Sequence, residues 1–271
     1  MNALAGLFRL AGTLLIATLV MAPLRADAEM VDLELVLAVD VSGSIDDDEA
    51  ALQRQGYISA ITDPRVLAVI RSGRYGRIAM TYVEWAGDHH QQIIAGWAVI
   101  HDMASARRFT AEIAAEPIVV AHWTSISAAM GFAMKMLEMS PHRSRRRVID
   151  ISGDGANNNG EAVLSARARV LDAGITINGL PIINGRPSRY GHLPIQNLDQ
   201  FYKDCVIGGT GAFIVVAHGF NDFARAIRRK MILEIAGREP RPRLIPAFIY
   251  KRKPRDCLDG EWKLQWDMED W

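Results

Sequence analysis

The chain has 271 residues, 49% hydrophobic and 23% charged, which is ordinary globular composition with enough apolar material for one substantial core. Its 31 basic and 31 acidic residues cancel, and removing residues 1–28 takes away only Arg9, Arg25 and Asp27. No net field steers it toward nucleic acid or anionic lipid, which excludes polyelectrolyte binding as the default role.

Residues 1–28 read as a secretory signal. Arg9 supplies the positive n-region, Leu10 to Ala22 is an apolar run broken by Gly12 and two threonines, and Ala26-Asp27-Ala28 is an A-x-A cleavage site. The alternative is an uncleaved anchor, which needs roughly 20 apolar residues. Cleavage near Ala28 implies a periplasmic or secreted protein, and no later segment is long and apolar enough to span a membrane.

Val31 to Val39 is nearly continuous apolar sequence, the pattern of a strand buried on both faces. It breaks into the loop Asp40-Val41-Ser42-Gly43-Ser44. Asp46, Asp47 and Asp48 then suit a helix start, where acidic groups complement the dipole and cap free N–H groups. That helix runs from Glu49 to Ile61, and Asp63-Pro64 stops it. Gly76 to Trp85 and Gln91 to Ile100 are β-rich and separated by Gly87-Asp88-His89-His90, so they form a hairpin with one antiparallel strand; the turn is expected away from any site, and its histidines are expected to be simply exposed.

Helices follow over Met103 to Ala115 and Ser125 to Met139, then a second buried strand, Arg147 to Ile151, ending in Ser152-Gly153-Asp154-Gly155. The basic run Arg143 to Arg147 is read as a solvated loop that also suits a helix end. Glu161 to Ala173 is helical, stopped by Gly174, with Asn157-Asn158-Asn159 expected as its cap. Ile175 to Leu180 is a strand, Asn197 to Val206 a short helix, Ala212 to Val216 a strand and Phe220 to Ala236 a long helix. Alternating strands and helices imply a Rossmann-like, doubly wound α/β fold: a six-stranded, mostly parallel sheet with one antiparallel edge strand and helices on both faces. The expected division is a domain over 29–237 and an appendage over 238–271, rich in Pro and Trp. Cys205 and Cys257 either pair or remain two buried thiols; a bridge closes about 52 residues, worth about 4 kcal/mol in the chain-entropy picture.

In doubly wound sheets, ligands bind beyond the C-terminal strand ends. Asp40, Ser42 and Ser44 lie at one such end and Asp154 at another, while Thr124 sits at a helix start that reaches the same edge. Two carboxylates with three hydroxyls make an all-oxygen set suited to a hard cation, Mg²⁺ or else Mn²⁺ or Ca²⁺. Thr124 and Ser125 also suit simple capping of the helix.

Asp40-Val41-Ser42-Gly43-Ser44, Thr124 and the run Val148 to Gly155 together resemble the metal-ion-dependent adhesion motif of von Willebrand factor type A domains, over about residues 31–236, and in particular an exported bacterial branch of unknown function. The resemblance implies that fold, one cation held by Asp40, Ser42, Ser44, Thr124 and Asp154, and a protein partner whose Glu or Asp completes the coordination. His122 and Trp123 depart from the small residues usual in the family's Thr loop, and with Asn157 they are placed on the rim of the partner site. In related domains binding is coupled to movement of the C-terminal helix, here Phe220 to Ala236.

Enzymatic readings fit less well. An Asp-x-Asp phosphatase needs a second Asp where Ser42 stands, and Gly-x-Ser-x-Gly is not met around Ser42. Gly208-Gly209-Thr210-Gly211 lacks the lysine and helix of a P-loop. The rivals to a binding module are a metal-dependent hydrolase and a structural envelope protein with a vestigial metal site.

Overall fold

The computed structural model describes residues 28–185, 195–237 and 257–258. The signal segment and nearly all of the appendage, including Trp262, Trp266 and Trp271, lie outside the described residues. In chain order the elements are β1 (Glu29–Met30), β2 (Glu34–Asp40), α1 (Asp47–Ile61), α2 (Pro64–Arg71), β3 (Ile78–Trp85), β4 (Gln91–Ile100), α3 (Met103–Ala115), α4 (Ile126–Glu138), β5 (His142–Arg143), β6 (Arg147–Gly153), α5 (Val163–Asp172), β7 (Thr176–Pro181), α6 (Leu198–Phe201) and α7 (Phe223–Ala236). A π-helical turn, Tyr202–Val206, extends α6.

The main sheet has the order β4-β3-β2-β6-β7, parallel except for β4, which is antiparallel at the edge. The sheet has five strands rather than six. Residues 212–216 do run beside β7, where Gly179 N donates to Phe213 O and Val215 N to Gly179 O, but only isolated bridges form. Turns at Gly209 and Gly211, both at positive φ, leave that stretch too irregular for a ladder.

All of β2 is buried because both faces are covered. α1, α2, α3 and α7 enclose one core with Leu35, Leu37, Tyr57 and Phe223; α4, α5 and the α6 turn enclose the other with Val36, Ala38, Ile149 and Ile151. Successive β2 residues therefore point to opposite cores, as the period of two requires.

Asp63-Pro64 ends α1 but also starts a second helix. The Asp63 side chain accepts from Arg65 N at 2.8 Å, and Pro64 occupies the first turn, where its missing N–H costs nothing. Arg146 donates to Glu234 O and Ile235 O at the end of α7, and Arg147 to Ala173 O at the end of α5. The basic run thus satisfies the free carbonyls of two helices. Cys205 and Cys257 are joined by a disulfide, which ties the appendage to the π-helical turn. No helix among the described residues is long and apolar enough to cross a membrane.

Gly56 sets the approach of α1 to α7, since a Cβ there would lie 2.6 Å from Phe223 Cδ1. Replacing a helical glycine by alanine ordinarily stabilises by about 1 kcal/mol. Here Gly56→Ala is expected to destabilise by about 1–3 kcal/mol, because Phe223 is fully buried and cannot step aside. Denaturant unfolding checks the reversed sign.

Candidate metal centre

β2 and β6 are neighbours with Val39 opposite Ser152, so Asp40 and Gly153 come level at the same rim. The chain leaves β2 toward β3 on one side and returns to β6 on the other, which makes this boundary the switch point of the sheet. Asp40 is fully buried and Asp154 half-buried. The Asp40 carboxyl approaches so closely that a Cβ on Gly153 would stand 2.6 Å from its Oδ2. Glycine is required there for space.

The three loops meet. Ser42 N donates to Asp40 Oδ1 at 2.7 Å, Ser42 and Ser44 share a hydroxyl contact at 3.1 Å, and Ser44 Oγ donates to Asp154 Oδ1 at 2.5 Å. The loop before α4 docks on the first through Ala121 N to Val41 O at 3.1 Å. Thr124 is buried, with its hydroxyl against Gly155, whose Cβ would come 3.3 Å from Thr124 Oγ1. Asp40, Ser42, Ser44 and Asp154 are therefore linked by direct contacts, and Thr124 stands beside them against Gly155 on the same rim. Ser125, not Thr124, caps α4.

Electrostatics match a missing positive charge. Burial first, then the Asp154 charge, hold the Asp40 carboxyl well above the usual carboxylate range, against hydrogen bonds from Ser42 and Asp154 N–H. Burial, opposed by the Ser44 hydrogen bond and reinforced by Glu49, pushes Asp154 up to about 6. Asp40 Oδ2 is buried and accepts no hydrogen bond among the described residues. A cation at this rim would satisfy that oxygen and relieve the repulsion between the carboxylates, so the residues present fit a metal. Among the described residues no group of three or more His, Cys, Asp or Glu could hold a metal; hydroxyls supply the rest of this donor set.

Several supporting residues were not legible as such in the sequence. Glu49 is the third carboxylate, anchored by Asn184 Nδ2 at 2.8 Å and Asp46 N at 3.2 Å. Tyr202 lies beneath Gly153, its hydroxyl held un-ionised by burial and by Asp40 and Asp154. Gln53 Nε2 donates to the Asp40 carbonyl at 2.9 Å. A carboxylate inside the first turn of α1 and an asparagine just past β7 were the available signals, since both positions belong to the same rim.

The three asparagines do not cap α5, whose N-cap residue Ala162 makes no side-chain bond. They pin the Thr124 loop, the start of α4 and the β3–β4 turn instead. Asn158 Oδ1 accepts from Thr124 N at 2.7 Å, Asn157 Oδ1 from Ser127 N at 3.0 Å and Asn159 Oδ1 from Asp88 N at 2.6 Å. Asn157 is fully buried and supports the rim from below. His122 and Trp123 are exposed on it, with Trp123 at φ 69, a left-handed backbone that costs a bulky residue roughly 1–2 kcal/mol. The β3–β4 turn is also at this edge, because parallel pairing sets Trp85 level with Asp40; Gly87 N donates to His122 O at 3.0 Å. His89 is exposed there, as expected of a turn residue.

This sheet, with helices on both faces, matches the fold of von Willebrand factor type A domains. Similar solved structures include proximal thread matrix protein 1 (PTMP1) from the mussel byssus, with TM-score 0.56 and 10% identity over 78% of this chain and 50% of that one. A second structure of that protein, described as having a zinc-occupied MIDAS motif, gives 0.52 and 15% over 76% and 46%. A von Willebrand factor type A structure from Catenulispora acidiphila gives 0.51 and 12% over 76% and 43%. At such identities the likeness is one of fold, and the chain spans half or less of those proteins. The chain itself belongs to the family described as "Protein of unknown function (DUF1194)", matched over residues 30–239. No curated protein matches it.

The Asp154 shift has a signed consequence. The folded metal-free state keeps this proton up to about pH 6, whereas the unfolded chain releases it near 3.8. Stability contributed by Asp154 is thus present below about pH 4 and lost as pH rises through about 6. In chelator, wild-type melting temperature relative to Asp154→Asn is expected to fall over that window, as thermal unfolding at stepped pH will show; an unchanged difference refutes the assignment.

Proposed function

We propose that this chain is an exported binding module in which Asp40, Ser42, Ser44, Thr124 and Asp154 hold one divalent cation, Mg²⁺ or else Mn²⁺ or Ca²⁺, through which it binds a carboxylate of a protein partner. The observation that carries this reading is the meeting of Asp40 and Asp154 within each other's field, with an Asp40 oxygen left unbonded. A metal is the economical source of the opposing charge, and the zinc-occupied MIDAS motif of the similar PTMP1 structure supports it.

Two carboxylates and three neutral hydroxyls leave a divalent ion short of anionic ligands. A Glu or Asp from another protein completes the set, which makes the partner's acidic side chain the discriminating contact. His122 and Trp123, exposed beside Thr124, form the rim that the partner meets. Glu49 with Asn184 and Asn158 with the Thr124 loop hold the ligands in place from behind. The reading takes residues 1–28 as a leader that would export the module to the periplasm or beyond, with 29–237 as the binding domain and 238–271 as an appendage.

Titrating Mg²⁺ and Mn²⁺ while following thermal unfolding tests the centre. A ligand that binds only the folded state stabilises by about 2.7 kcal/mol at a hundredfold excess over Kd. Wild type is expected to shift upward with the ion, and the double variant Asp40→Ala, Ser42→Ala to stay flat. A flat wild type, or a variant that shifts equally, overturns the reading.

A further inference from the structure

A second cluster of ionisable groups lies under the sheet and takes no part in the cation site. Asp150 on β6 and Lys230 on α7 are fully buried, and Glu234, one turn after Lys230, is 1% exposed. Lys230 Nζ is 2.5 Å from Asp150 Oδ1 and 3.3 Å from Glu234 Oε1. Asn178 Nδ2 on β7 fixes that same Glu234 oxygen at 2.6 Å, and the Glu234 carboxyl lies within the electrostatic reach of Asp150. The Phe213 ring stands 5.8 Å from Nζ. One amine is therefore pressed against one carboxyl, with a second carboxyl against the amine, in a fully buried place.

Such a cluster is costly as ions. Isolated charges in an apolar interior remain costly even after relaxation, and one ammonium cannot neutralise two carboxylates. Burial, opposed by the Lys230 charge and reinforced by Glu234, carries Asp150 up to about 7, so its protonated form is well populated at neutral pH. Condensation requires a lone pair on Nζ, and the two carboxyl groups against it are the acceptors available for the lysine's proton. Lys230 Nζ is thus in contact with the carboxyl it would attack, and the sheet and helix hold both partners there.

We propose that Lys230 and Asp150 are a self-modification site, condensing into an intramolecular amide that staples α7 to β6, with Glu234 as the proton carrier. The Nζ lone pair attacks Asp150 Cγ and forms the C–N bond. Glu234 takes a proton from that nitrogen and delivers it to the departing hydroxyl; the C–O bond breaks and one water leaves. Nothing is oxidised or reduced, no co-reactant is needed, and Glu234 ends as it began. Two buried ions become a neutral amide, and expulsion of water from a dry core opposes the reverse reaction. This site is independent of the cation at the rim.

Mass spectrometry of the purified, reduced and denatured full chain, its N-terminus read directly, decides the matter. Wild type is expected to be lighter than its sequence by one water, with digestion yielding a branched peptide joining the Asp150 and Lys230 segments. Asp150→Asn should lose one ammonia instead, while Lys230→Arg and Glu234→Gln should keep their full masses. A folded wild type of full mass overturns the proposal, whether or not the variants fold. A water loss that persists in Lys230→Arg also overturns it, since a succinimide at Asp154-Gly155 would then be the source.

Discussion

Two carboxylates from neighbouring parallel strands are brought within reach of each other's charge, and much of the molecule's local architecture serves to tolerate that placement. The constraint originates in the ladder: once Val39 and Ser152 are level, the next residues, Asp40 and Gly153, must share the space beyond the sheet. Glycine yields that space, and Ser42 N, the Asp154 N–H and the Ser44 hydroxyl neutralise part of the field. The loops that supply those donors are thereby locked to one another. A rim assembled in this way concentrates two carboxylates and several hydroxyls at one edge of the sheet.

The same logic continues inward from the rim. α1 turns Glu49, Gln53 and Arg54 toward the protein interior, all buried. Gln53 links the Asp40 carbonyl to Ser152, and Ser152 receives the Tyr57 hydroxyl at 3.0 Å. Tyr57 in turn feels the charges of Asp150 and Glu234. On the other side, Arg54 forks onto Glu84 at 2.7 and 2.8 Å, holding the end of β3 against α1. Polar networks of this kind are costly when half satisfied and rigid when complete, so they fix the register of α1 and α7 against the sheet more narrowly than apolar contact would. α1 therefore carries only a weak apolar stripe, and hydrogen bonds and ion pairs do much of its positioning.

Most of the elements were readable from local pattern, because each depends on few neighbours. β2, β6 and β7 announce themselves as short apolar runs ending in polar turns, and α3 and α4 as helices bounded by Asp102 and Ser125. The misreadings share one cause. Asp63-Pro64 stops one helix and starts another, and the sequence presents the two events as a single signal. Residues 212–216 have strand composition but lie between glycine turns, which only the assembled edge shows to be irregular. The asparagines at 157–159 read as a cap because helix N-termini favour Asn; their true partners, Asp88, Thr124 and Ser127, are distant in the chain.

The candidate centre divides along the same line. The sequence by itself determined which oxygen-bearing side chains stand at strand ends and helix starts, since the spacing in Asp40-Val41-Ser42-Gly43-Ser44 and the turn at Asp154 are local facts. Only the tertiary structure decided that Thr124 and Asp154 meet that loop, that Glu49, Asn184 and Tyr202 stand behind it, and that Lys230 faces Asp150. Those are pairings across the sheet, set by strand order and helix docking, and nothing in the spacing of residues along the chain fixes which distant side chains such packing brings into contact.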